Sequence, residues 1–366
     1  MNQGKVTVIG IGLIGGSLAL CIKERTEYTV CGCDVSERSL ELARASGVID
    51  EGTTDLAEAV KDADYLFLAV PVGLISRLMA QLREMPLKPG CIISDVGSTK
   101  GEIVRHGREL SRVGVTFIGG HPMAGSHRSG VEAADPLLFE NAYYILTPTP
   151  ETSLVDMQRL SRLLQVATRA QLVIMDPDHH DRVVGAISHL PHVIAAGLVN
   201  QVGRYNEENE WFHRLAAGGF RDLTRIAASH PVMWRDILMS NRHTVLSLMD
   251  DWLKEMQRFR QAIEAGDAQE VEALFDRARR LREQLPDRKK GILLRPYECY
   301  VNVPDRPGMI GEVATLLGKN GINLSNIGVM ENREEEVGVL RLSFRTEEDL
   351  TQAVAVLKQA NYIVIE

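Results

Sequence analysis

The chain has 366 residues, too many for one ordinary core, and its 45% hydrophobic and 25% charged content is that of a water-exposed globular protein of two or three domains. A formal net charge of −8 leaves no basic excess to neutralise phosphates, which argues against a nucleic-acid partner. No apolar stretch is read as reaching the ~20 residues of a membrane span, no signal peptide is read at the start, and five cysteines without a CxxC pair read as reduced thiols. A cytoplasmic protein without a membrane partner is expected.

Residues 1–175 alternate short apolar runs with helical patterns. The runs Val6–Ile9, Thr29–Cys33, Leu66–Val70, Cys91–Ser94, Val115–Ile118 and Tyr143–Leu146 predict βα units on a largely parallel sheet. Residues 176–285 lose the strand-like runs, and Ala, Leu, Arg and Glu recur at helical spacing, with Pro177, Pro191 and Pro231 placed where helices begin or bend. The charged, amphipathic stretch Trp252–Leu285, interrupted at Gly266-Asp267, needs an apolar partner and suggests a homodimer. Residues 286–296 read as a linker. Residues 297–366 give strand, helix, strand, strand, helix, strand: Tyr297–Val303, a turn at Asp305–Gly308, a helix facing inward through Ile310, Val313, Ala314 and Leu317, Ile322–Val329, Val337–Phe344, a second helix and Tyr362–Ile365. That order is the ferredoxin-like plan.

The first run leads into Gly10-Ile11-Gly12-Leu13-Ile14-Gly15, a GxGxxG between strand and helix. Gly10 permits the tight turn, Gly12 lets a pyrophosphate approach the backbone, and Gly15 lets helix and strand pack closely, with the phosphates at the helix N-terminus. Asp34 ends the next strand, suited to a ribose hydroxyl and repellent to a 2′-phosphate, so NAD is expected rather than NADP. Val70 and Pro71, at the end of a neighbouring strand, are expected to join this site.

Ligands of an open parallel sheet gather beyond the carboxyl ends of its strands. Two polar clusters fall there: Asp95-Val96-Gly97-Ser98-Thr99-Lys100 and Gly119-Gly120-His121-Pro122-Met123-Ala124-Gly125-Ser126. Oxidising a carbinol needs a base for the hydroxyl proton, and a neutral histidine suits that role. His121 is the candidate, with Ser98 and Ser126 able to orient it or the substrate. Asp176-Pro177-Asp178-His179-His180-Asp181 has the look of a metal site. It reads better as an N-cap, an N1 proline and an acidic first turn, so no metal is expected.

GIGLIGGS, DVGSTKG and GGHPMAGS, in this order, resemble the prephenate and arogenate dehydrogenase family, as do Ser188-His189-Leu190-Pro191-His192 and the run from Gly218 to Ala227. The DRPGMIGEVATLLGKNGINL stretch is similar to ACT domains, which commonly bind amino acids. The resemblance implies a Rossmann-like NAD domain, an all-helical substrate and dimerisation domain, and an ACT domain. It implies an NAD-dependent oxidative decarboxylation of prephenate to 4-hydroxyphenylpyruvate, with arogenate as the alternative substrate and L-tyrosine as the expected regulatory ligand. By the same resemblance His121 polarises the 4-hydroxyl beside Ser98. Ser126, Ser188 and His192 line the pocket, Gly218 and Trp234 form its wall, Arg225 binds a substrate carboxylate and Asp222 supports that region. A fixed bidentate cation is what a dianionic substrate would need in an acidic protein. A plain Asp222–Arg225 ion pair is the alternative, and His189 is expected to be mainly structural. A β-hydroxyacid dehydrogenase is disfavoured because the helical segment offers no evident catalytic lysine.

Overall fold

The computed structural model describes residues 4–125, 128–284, 297–304, 306–330, 337–344 and 346–365. Ser126, the linker 286–296 and Asp305 therefore lie outside the described residues. The chain divides between Asp287 and Arg288 into two units, each described by itself.

The first unit opens with β1 (Lys5–Ile9), α1 (Leu13–Arg25), β2 (Thr29–Cys33), α2 (Glu37–Ala45), β3 (Glu51–Thr53), α3 (Leu56–Val60), β4 (Tyr65–Leu68) and α4 (Val72–Arg83). It continues through β5 (Ile92–Asp95), α5 (Gly101–Gly107), β6 (Thr116–Pro122), β7 (Tyr143–Thr147), α6 (Leu154–Thr168) and β8 (Gln171–Ile174). The strands form one sheet in the order β3-β2-β1-β4-β5-β6-β7-β8, parallel throughout except between β6 and β7. Their apolar runs are continuous because both faces are covered: Val6, Val8, Tyr65 and Phe67 pack into one core, Ile9, Leu66 and Leu68 into the other. Strand order reverses between β1 and β4, which opens a crevice beyond their carboxyl ends.

Three details differ from expectation. Two short strands were not among the expected runs: β3, Glu51-Gly52-Thr53, carries no apolar pattern and pairs with β2, and β8, with the brief run Leu172-Val173-Ile174, pairs with β7. β4 and β5 are displaced by one residue or two from the apolar runs. Gly119–Pro122, read as a loop, is the end of β6. Its pairing with β5 stops at Ile118, and β7 continues the ladder alone, setting His121 opposite Ile145.

The helical part comprises α7 (Pro177–Val184), a π-helical turn over Gly185–His189, α8 (Leu190–Glu208), α9 (Trp211–Arg214), α10 (Gly218–Thr224), a 3-10 turn Arg225–Ala228, α11 (Pro231–Ser240), α12 (Arg242–Glu264) and α13 (Ala268–Glu283). Pro191 does not end a helix: Pro177–Glu208 is one continuous run, with the π turn just before the proline, which lacks a donor for the preceding turn. This corrects the reading that no apolar stretch reaches the length of a membrane span. The run is long and apolar enough to cross a bilayer by length and composition, and only 22% of its most apolar window is buried within the chain.

The second unit is β9 (Tyr297–Pro304), α14 (Met309–Lys319), β10 (Asn326–Met330), β11 (Val337–Phe344), α15 (Glu347–Gln359) and β12 (Ile363–Ile365). The antiparallel order β10-β11-β9-β12 is the ferredoxin-like arrangement. Cys299, Val301 and Val303 point to the core that Val313, Leu317, Ala353 and Leu357 supply from the helices. β10 starts later than Ile322 because the Ile322 amide first closes the end of α14 on the Leu317 carbonyl.

Candidate active site

The glycines of the first turn are fixed by contact. Gly10 has φ +95, and a Cβ there would lie 2.4 Å from the Ala69 carbonyl oxygen; at Gly15 a Cβ would lie 1.9 Å from the Gly10 oxygen. At Gly12 a Cβ would meet nothing within 4 Å, so the open side of the turn is left to a ligand. No side chain caps α1 and no acidic residue occupies its first turn, which leaves the amides of Leu13 and Ile14 to an anion. Asp34 accepts from the Ile11 amide at 2.8 Å on one oxygen and from the Ser36 amide at 2.9 Å on the other. The carboxylate is thereby locked at the crevice, each oxygen keeping a lone pair for a ribose hydroxyl. Val70 touches the Gly10 side of the turn and Pro71 stands at the start of α4. These residues fit a dinucleotide with an unmodified ribose.

Beyond β5, Asp95 and Lys100 form a fully buried ion pair. Burial pushes the carboxyl up and the ammonium down, against their mutual attraction. Asp95 also accepts from the Gly97 amide at 2.8 Å and the Gly120 amide at 3.1 Å. One carboxylate therefore ties the end of β5, the Gly97–Lys100 loop and the end of β6 together. The loop, which carries partly buried Ser98, is anchored in turn to the helical segment: Thr99 Oγ1 is 2.8 Å from Ser240 Oγ, and the amides of Lys100 and Gly101 donate to Asp181 at 2.7 and 2.8 Å.

His121 stands where these elements meet. Burial, then the His180 ring and the Lys100 ammonium, hold its pKa well below the usual imidazole value, so it is neutral near pH 7. Its Nδ1 is 2.8 Å from His180 Nε2, and His180 Nδ1 is 2.8 Å from Asp181 Oδ1. The residues read from the sequence as a helix start do cap α7, with Asp176 accepting from the amides of Asp178 and His179. Yet consecutive positions face different ways: His179 is exposed, while His180 is fully buried against His121. The long-range role of His180 and Asp181 was missed because its partner is 59 residues away.

The remaining candidates lie on the helical segment. His192 Nδ1 donates to the Ser188 carbonyl at 2.8 Å across the π turn, leaving Nε2 as an acceptor, and its ring stacks on Trp234. Trp234 Nε1 is buried with no hydrogen-bond partner. His189 is buried, 3.1 Å from the Asn241 amide nitrogen, and burial pushes its pKa down to about 4. Gly218 begins α10, Asp222 lies within it, and Arg225 opens the 3-10 turn packed on α8. Asp222 and Arg225 are both exposed, and no salt bridge joins them among the described residues.

Family models match the chain along most of its length: "prephenate dehydrogenase, nucleotide-binding domain" over residues 18–173, "prephenate dehydrogenase, dimerization domain" over 176–277 and "ACT domain" over 297–361. A prephenate dehydrogenase of Bacillus subtilis is 41% identical over 356 residues, 96% of each chain. The chain belongs to the prephenate dehydrogenase family. Among solved structures, the prephenate dehydrogenase of A. aeolicus in complex with hydroxyphenyl propionate and NAD+ superposes with a TM-score of 0.72 at 31% identity, covering 78% of this chain and 99% of that one. An arogenate dehydrogenase of Synechocystis gives 0.67 at 29% identity, covering 76% and 99%.

Proposed function

We propose that the protein catalyses the NAD-dependent oxidative decarboxylation of prephenate to 4-hydroxyphenylpyruvate and CO2 in tyrosine biosynthesis. The observation that carries this is His121: a neutral imidazole held at the carboxyl edge of the nucleotide-binding sheet, where the helical segment closes over it. NAD+ supplies the hydride acceptor. The 4-hydroxyl proton passes to His121 as the C4 hydride departs with its electron pair, giving a ring ketone. The bond to the ring carboxylate then breaks, its electrons enter the ring as CO2 leaves, and the resulting phenolate takes the proton back from His121. Atoms and charge balance without a further base.

In this reading Ser98 orients the hydroxyl and the base. Ser126, Ser188 and His192 line the pocket, Gly218 and Trp234 wall it, and Arg225, not engaged by Asp222, receives a substrate carboxylate. Gly10, Ile11, Gly12, Leu13, Ile14, Gly15, Asp34, Val70 and Pro71 hold the dinucleotide. The working division is 1–175 for NAD, 176–285 for substrate and dimer, and 297–366 for regulation.

A cytoplasmic homodimer built on the helical segment fits the apolar surface left there: Trp211, Leu215, Leu223, Met239, Leu246 and Phe275 are each more than half exposed. L-tyrosine is the proposed ligand of the second unit. Ser325 Oγ, buried there without a hydrogen-bond partner, and the surrounding Gly321–Asn326 stretch are proposed to contact it. Steady-state assays with prephenate and arogenate, each with NAD+ and NADP+, test the function. Prephenate with NAD+ should give the highest kcat/KM, and preference for arogenate would overturn the substrate assignment.

A further inference from the structure

Asp181 is the fixed point of a short chain of hydrogen bonds. Its Oδ2 accepts the Gly101 amide, and its Oδ1 accepts both the Lys100 amide and His180 Nδ1. A carboxylate has only acceptors to offer. His180 Nδ1 must then carry a proton. A neutral His180 consequently presents a bare Nε2 to His121, 2.8 Å away. His121 must donate through Nδ1, and its own proton-free nitrogen is Nε2. The reverse arrangement, with His121 accepting at Nδ1, would leave a proton on Nε2 and no lone pair for a substrate hydroxyl. The Asn241 amide donates to the Asp181 carbonyl at 2.8 Å and holds the start of the chain from the helical side.

We propose that His180 and Asp181 are positioning residues that set the tautomer and ring orientation of His121, so that Nε2 is the proton acceptor; this rests on His121 being the base. The logic is that of any base oriented by a third group: the outer carboxylate fixes a proton without itself being protonated in the reaction. Here the message passes through a second imidazole. When His121 takes up the hydroxyl proton, the Nδ1–H···Nε2 bond becomes charge-assisted and stronger.

The test uses the full chain. In His180→Phe the acceptor is lost while a somewhat larger aromatic ring is kept, and kcat should fall about 100-fold or more while KM for prephenate and NAD+ changes by less than about 3-fold. His180→Gln should recover much of the loss, since its amide oxygen can accept from His121 and its NH2 can donate to Asp181. Nitrogen-15 spectra of histidine-labelled protein, assigned by the signal missing in His121→Asn, should show His121 with a protonated Nδ1 and bare Nε2 in the wild type. His180→Phe should shift it toward the other tautomer. If His121→Asn is inactive but His180→Phe turns over normally, the positioning role is wrong and the base assignment survives. If His121→Asn itself turns over normally, the base assignment fails. Should His180→Phe not fold, a wild-type His121 protonated at Nε2 would overturn the proposal, and a bare Nε2 would support it.

Discussion

The His192 ring lies nearly parallel on the Trp234 indole, with centroids 3.7 Å apart and planes at 26°. The stack leaves Trp234 Nε1 buried without a hydrogen-bond partner, and a buried donor of that kind costs about 1–3 kcal/mol until something accepts from it. Trp234→Phe keeps an aromatic partner for His192 but removes the donor together with one ring of the indole. The expected result is a KM for prephenate raised about 5-fold, the worth of one hydrogen bond of about 1 kcal/mol, with kcat unchanged. An unchanged KM would make Nε1 a core atom with no part in binding.

Arg225→Ala should raise KM for prephenate roughly 30-fold or more and leave KM for NAD+ within error, because truncating one side of a charged, hydrogen-bonded pair costs ~2–5 kcal/mol. Equal changes for both substrates would point to a general disturbance of the 3-10 turn that Arg225 opens.

Asp34→Ser removes a carboxylate that also fastens the glycine turn through the Ile11 amide. KM for NAD+ should rise about 10-fold, and discrimination against NADP+ should shrink, since a 2′-phosphate would no longer face a negative charge. Wild-type enzyme that already preferred NADP+ would contradict the reading.

Acid should affect catalysis and stability in the same direction. His121 has a depressed pKa, so its neutral form persists below the ordinary imidazole value of 6.5, and the acid limb of kcat/KM is expected below that pH. His189 is pushed from 6.5 to about 4 by burial. A histidine depressed in the folded state binds fewer protons there than when unfolded, so its contribution is complete above pH 6.5 and lost as pH falls toward about 4. Urea midpoints measured across that window should fall with pH, and less steeply in His189→Gln.

A chain ended near residue 290 should keep its kinetics with prephenate and lose sensitivity to tyrosine. Undiminished inhibition in the truncated protein would place the effect at the catalytic site and remove the regulatory role of the second unit.

Local chemistry made much of this legible in the sequence. The Gly10–Gly15 turn announces itself because Gly10 and Gly15 answer short-range steric demands while Gly12 leaves its side open. The alternation of Cys299, Val301 and Val303 likewise marks a half-covered strand. Glu51–Thr53 was illegible, being a strand only because β2 offers it an edge. Nor could spacing reveal that β6 runs on to Pro122, since the partner that extends it is β7. His180 was hidden for a related reason: its immediate neighbours explain a helix cap fully, and nothing local signals a contact with β6.

In the proposed mechanism the unbroken run from Pro177 to Glu208 carries the support of the base near its start and, within and just past the π turn, Ser188 and His192. Reaction and recognition are thus mounted on a single rod but at separate stations along it. Replacing residues beyond the π turn could exchange a keto acid for an amino acid in the pocket without disturbing the proton machinery, so selectivity can drift while the chemistry stays in place.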